Sequence, residues 1–148
     1  MVFAKVGDQL FIEPAPDLSL KIDGPYAKGL DTGPENLVLR AANILQKTTG
    51  CQKGAAIRLH KALPIASGIG GGSADAAATL RGLNRLWACG LSAADLERIG
   101  QTLGADVPVC VQNRPRLMSG YGEILHDVGA WPTLHGVLVN PGFALSTA

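Results

Sequence analysis

The chain has 148 residues, 47% of them hydrophobic and 17% charged, with a net charge of +1. That composition suits one compact domain with a buried core and excludes an intrinsically disordered chain. Lysine and arginine are scattered and only 5% of residues are aromatic, so neither the basic footprint nor the stacking platform of a nucleic-acid binder is present.

No apolar run reaches membrane-spanning length, and the N-terminus lacks a charged-then-apolar signal pattern. Cys51, Cys89 and Cys110 are odd in number and widely spaced, which favours reduced thiols over disulfides or zinc. His60, His126 and His135 show no metal spacing. The expectation is a soluble cytoplasmic protein with no nucleic-acid and no membrane partner.

In chain order, Phe3 to Glu13 reads as a strand that Pro14 and Pro16 end. "DLSLKIDG" alternates strictly, with Leu18, Leu20 and Ile22 on one face, and closes at Gly24-Pro25. The two strands are expected to form an antiparallel hairpin. "TGPENLVLRAANIL" then takes helical period, with Thr32 and Glu35 matching a capping box, Pro34 in the first turn and Gly50 as the stop. "AAIRLHKALP" alternates again and predicts a third strand.

Four of the five residues from Gly68 to Gly72 are glycine, and Ala76 to Trp87 follows as a helix. Ser92 to Asp95 matches a second capping box and opens a helix ending near Gly104. "VPVCV" and "HGVLVNPG" read as strands. With hairpin strands beside helices, the fold class is α+β with a mixed or antiparallel sheet packed on helices.

The glycine run carries the chemistry. A helix N-terminus has N–H groups with no internal partner and a partial positive charge, and glycines let an anion approach the backbone without a Cβ clash. A phosphate is therefore expected against Gly68, Gly70, Gly71 and Gly72. The Ser73 hydroxyl stands ready for a phosphate oxygen or a metal-bound water. The stretch is neither a Walker loop, since no Gly-Lys-Ser/Thr follows, nor G-x-G-x-x-G in a parallel βαβ unit.

"LPIASGIGGGSADAAATLRGLNRLW" resembles the phosphate loop of the GHMP kinases. The triple glycine before serine, "DAAATL" and "LNRLW" are most similar to the kinases of 4-diphosphocytidyl-2-C-methyl-D-erythritol in non-mevalonate isoprenoid synthesis. "VGDQLFIEP", "ENLVLRAANIL", "LGADVPVC", "GYGEIL" and "VNPGFALSTA" extend the likeness in order along the chain. The resemblance implies ATP and Mg²⁺ as cofactors and transfer of the γ-phosphate to the 2-hydroxyl of that cytidine-diphosphate-linked methylerythritol.

It also implies that Pro64 and Gly68 to Ser73 surround the ATP phosphates, with Asn36 and Lys61 near the adenine. It makes Asp106 the catalytic base, a residue that composition alone would leave as a turn cap. It sets Tyr121 and Thr147 beside the acceptor. Ser73-Ala74 stands where the family often has two serines.

The family's opening "AKINL" strand, with its lysine, and a "DGYH"-like segment are not found. The sequence stops at "STA". The resemblance thus implies that residues 1–148 are the N-terminal, ATP-binding domain of a GHMP kinase, incomplete at its N-terminus and without the C-terminal domain. Such a chain would be a weak or inactive kinase, and an unpaired sheet edge would invite homo-association. Two other readings stay open: a GHMP kinase of homoserine or mevalonate type, and a non-catalytic nucleotide-binding module.

Overall fold

The structure is a computed structural model in which residues 1–140 are described. Five strands and four helices follow one another: β1 (Gln9–Ala15), β2 (Leu18–Asp23), α1 (Leu37–Thr49), β3 (Gly54–His60), α2 (Gly71–Leu86), α3 (Ala93–Gln101), α4 (Val107–Gln112), β4 (Arg116–Ser119) and β5 (Ile124–Asp127). The α+β expectation holds, and the first sheet is mixed.

The expected hairpin of β1 and β2 does not form. Both strands pair with β3, in the order β1-β3-β2, β1 antiparallel and β2 parallel. The reason lies at Gly54. A Cβ there would come within 2.5 Å of Pro16 O and 2.6 Å of Ala15 O, so the turn between β1 and β2 straddles the start of β3. Only a residue without a side chain lets β3 enter between the two arms. β1 also starts later than expected and runs through Pro14, which pairs opposite Ala55. On an edge strand, alternate residues point their N–H away from the partner, and proline can occupy such a position.

α1 begins at Leu37 and is capped by Asn36, whose Oδ1 accepts from Val38 N at 2.9 Å. The expected Thr32–Glu35 capping box is thus displaced. Asp31 Oδ1 instead accepts from Gly33 N at 2.8 Å, so Gly33 and Pro34 lie in a turn ahead of the helix. Gly50 ends α1 with φ 69°, as expected. The reciprocal Ser92–Asp95 capping box at the start of α3 is present, though α3 ends at Gln101.

"VPVCV" is helix α4, not a strand. Val107 to Val111 are all buried, so no polar face marks the helical period, and a short apolar run reads equally as a core strand. Residues 135–140 of "HGVLVNPG" likewise form no strand. The core joins Val38, Leu45, Ile57, Leu80, Leu83, Val107 and Val109, each at most 2% exposed, and so draws on α1, β3, α2 and α4. No helix of the described residues is long and apolar enough to cross a membrane.

Candidate active site

β3 delivers the chain to the glycine loop, and α2 carries it away. The last two glycines are part of the helix itself: α2 starts at Gly71, five residues earlier than the expected Ala76. Gly68 and Gly70 hold φ of 70° and 74°, the left-handed region, and no atom lies within 4 Å of a Cβ built on either. The loop needs their conformation and leaves open space above them.

The first intrahelical bond runs from Ala74 N to Gly70 O at 2.9 Å. The N–H groups of Gly71, Gly72 and Ser73 therefore have no carbonyl four residues back within the helix, and Gly70 offers no side-chain cap. With the helix dipole behind them, these groups form an anion cradle. Pro64 sits at the loop's entry, its carbonyl accepting from Ser67 Oγ at 2.8 Å.

Beneath the loop lies a buried ionic cluster. Lys61 Nζ donates to Asp75 Oδ2 at 2.9 Å and to Asp8 Oδ2. The three side chains are 6%, 10% and 2% exposed, in that order. Asp8 Oδ1 also accepts from Ala62 N at 2.7 Å and Leu63 N at 2.9 Å. Burial pulls the Lys61 ammonium down, but the hydrogen bonds and charges of two carboxylates outweigh it and leave Lys61 raised. One ammonium cannot neutralise two carboxylates. Burial, opposed by Lys61 and reinforced by the Asp8 charge, pushes Asp75 up to about 6.

Asn36 reaches the same region. Leu37 Cδ1 lies 3.6 Å from where a Gly72 Cβ would be, so the starts of α1 and α2 touch. The Asn36 side chain is committed at both ends, Oδ1 to Val38 N and Nδ2 to Asp31 O at 2.7 Å.

Asp106 stands at the N-cap of α4 rather than before a strand, half-buried and without a side-chain capping bond. α4 packs against α2 and α3. Arg81 of α2 fixes this contact by donating to Cys110 O at 2.7 Å and Val111 O at 3.1 Å, at the end of α4. Burial, reinforced by the Asp106 charge, pushes the Cys110 thiol up to about 11, which keeps it protonated.

The turn after β4 lies against Asp106's neighbour: a Cβ at Gly122, whose φ is 101°, would meet Ala105 O at 2.5 Å. That packing sets Tyr121, 93% exposed, beside the Ala105-Asp106 turn. Thr147 lies outside the described residues.

Two groups result. Asn36, Lys61, Pro64 and Gly68 to Ser73 gather around the start of α2, while Asp106 and Tyr121 gather at the start of α4. Sequence reasoning missed Asp8, Asp75 and Arg81. Asp75 is hidden in an alanine-rich run, and its buried place on α2 is the only signal it gives. Two concavities of about 330 Å³ lie elsewhere, one by Pro14, Pro16 and Trp87 and one by Leu10, Ile12 and Gly82.

The chain is similar to proteins named 4-diphosphocytidyl-2-C-methyl-D-erythritol kinase. It is 52% identical over 147 residues to that of Paramagnetospirillum magneticum, covering 99% of this chain and 51% of the relative. The protein of that name from Ruegeria pomeroyi is also 52% identical, with 50% of its length covered. The chain thus spans about half the length of the curated relatives it matches.

A crystal structure of 4-(cytidine 5'-diphospho)-2C-methyl-D-erythritol kinase superposes with a TM-score of 0.65 at 37% identity, over 82% of this chain and 41% of that one. Homoserine kinase from Cytophaga hutchinsonii superposes with a TM-score of 0.62 at 21% identity, over 72% and 34%, a likeness of fold alone. The family described as GHMP kinases N terminal domain matches residues 36–114, which run from the cap of α1 through the glycine loop to the end of α4. On that match the chain belongs to the GHMP kinases.

Proposed function

We propose that this chain supplies the ATP site of a kinase that phosphorylates the 2-hydroxyl of 4-diphosphocytidyl-2-C-methyl-D-erythritol. The observation that carries the reading is the uncapped start of α2: N–H groups without helical partners, behind a left-handed glycine loop with open space above it. The names of the relatives support the choice of acceptor. The homoserine kinase likeness speaks only for the fold.

In this reading Gly68, Gly70, Gly71, Gly72 and Ser73 hold the phosphates through backbone N–H groups, and Pro64 shapes the loop entry. Asn36 and Lys61 border the adenine side. The Asp106 carboxylate has no capping duty to compete with, so it is available to accept the acceptor's hydroxyl proton. The freed oxygen bonds to the γ-phosphorus as the bond from that phosphorus to the bridging oxygen breaks, and ADP leaves with the electron pair.

Tyr121 and Thr147 border the acceptor. Mg²⁺ would neutralise charge on the phosphates, held by their oxygens and by water. The Ser73 hydroxyl, on the first turn of α2, would face such an ion or a water bound to it.

A protein carrying this segment at the full length of the relatives tests the reading. It should form phosphorylated product and ADP with the cytidyl acceptor. Turnover of homoserine or mevalonate instead, or none with any acceptor despite ATP binding, would reject it.

A further inference from the structure

Asp8 and Asp75 have no part in the chemistry just described and Lys61 only borders the nucleotide, yet the cluster they form lies against both ends of the loop. We infer that Asp8, Lys61 and Asp75 are positioning residues for nucleotide binding, a clamp that ties the first residues of the phosphate loop to the helix that carries its cradle. The inference rests on the kinase reading of that loop.

Asp8 makes the connection. One of its oxygens holds the N–H groups of Ala62 and Leu63, where the loop begins. The other accepts from Lys61, whose ammonium also holds Asp75, the fifth residue of α2. The clamp touches the helix start as well, because a Cβ at Gly71 would lie 3.6 Å from Asp8 Oδ2 and 3.8 Å from Lys61 Nζ. Both ends of the stretch from Ala62 to Gly70 are thus fixed by the same three side chains.

Between these anchors the backbone is left-handed at Ala66, Gly68 and Gly70. Nothing packs on a Cβ at either of those glycines. The span between its anchors is therefore what sets the loop's shape.

Burying two carboxylates and an ammonium is a poor route to stability, since apolar side chains of like volume do as well or better. What such a cluster supplies is directional placement. At 6% exposure the Lys61 side chain is also too enclosed to serve as an open phosphate ligand. A loop held ready for its ligand loses less freedom on binding, so the clamp acts on affinity through preorganisation.

The test uses this chain with Asp8→Asn and, separately, Asp75→Asn. Two quantities are measured: the Kd for a non-hydrolysable ATP analogue with Mg²⁺, and amide exchange at Ala62 and Leu63. Both variants should unfold cooperatively and bind the analogue about tenfold more weakly, the loss of roughly one anchoring interaction. In Asp8→Asn the two amides should exchange at least about tenfold faster, as they lose a charged acceptor.

Variants that bind as tightly as the parent, with or without faster exchange, overturn the clamp alone. A parent chain that does not bind the analogue overturns the kinase reading of the loop, and the clamp with it. Loss of cooperative unfolding in both variants would make the cluster a folding element and overturn the assignment.

Discussion

Lys61 and Asp75 meet at 2.9 Å across the base of the glycine loop, with only 6% and 10% of their side chains exposed. The pair joins the residue after β3 to the second turn of α2, so strand, loop and helix share one electrostatic joint. Asp8 completes it from the segment before β1.

Lys61→Met tests that joint from its centre. It would leave two carboxylates facing each other out of water with no cation. Removing one partner of a buried ionic set costs about 3–5 kcal/mol. Urea unfolding followed by circular dichroism should show a loss of that size. A loss below about 1 kcal/mol, the level of an exposed ion pair, would mean that the cluster is wet and loosely held.

The same cluster predicts a pH dependence. Asp75 is raised to about 6 from an ordinary 3.8, so between those values the folded state keeps a proton that the unfolded chain has released. This group's contribution to stability is fully present below about pH 4 and is lost as pH rises through about 6. The stability of the parent minus that of Asp75→Asn should fall across this window and stay flat above it. A difference that rises with pH would show that Lys61 outweighs burial and that Asp75 is an ordinary salt-bridged carboxylate.

The parts of this arrangement that were legible in the sequence are those whose partners are local. Ser92 and Asp95 are three residues apart, and their reciprocal capping is as the spacing predicts. The glycine run likewise declares a loop entering a helix. The strand order was hidden because it depends on Gly54 passing under a turn some forty residues earlier in the chain, a contact that no periodicity encodes. α4 was hidden because burial on every side erases the period. Asp8 and Lys61 are 53 residues apart, so neither carries a local sign of the other.

Gly70→Ala separates the backbone's demand from the ligand's. With φ 74° and no atom within 4 Å of its Cβ, the substitution meets no clash and costs only the left-handed conformation, about 1–2 kcal/mol. The added methyl does, however, enter the space above the helix start. The affinity for the ATP analogue should therefore drop by more than the stability change implies, by at least about tenfold, since one displaced phosphate contact is worth about 1.5–3 kcal/mol. Equal affinity in a folded variant would place the phosphates elsewhere.

Asp106→Asn addresses the chemistry rather than the cradle. Asp106 makes no side-chain cap to α4, so the amide should leave the helix and the fold in place. It cannot accept the acceptor's proton. In a protein carrying this segment at the full length of the relatives, turnover should fall about 10²–10⁴-fold, the usual share of a general base. Affinity for the ATP analogue should stay within about threefold, because no N–H of the loop is touched. If turnover survives, Asp106 is only the N-cap residue of a buried helix, and the proton leaves by another route. If ATP affinity falls in parallel with turnover, Asp106 acts on the nucleotide, and the separation between the start of α2 and the start of α4 is smaller than their two groups of side chains imply.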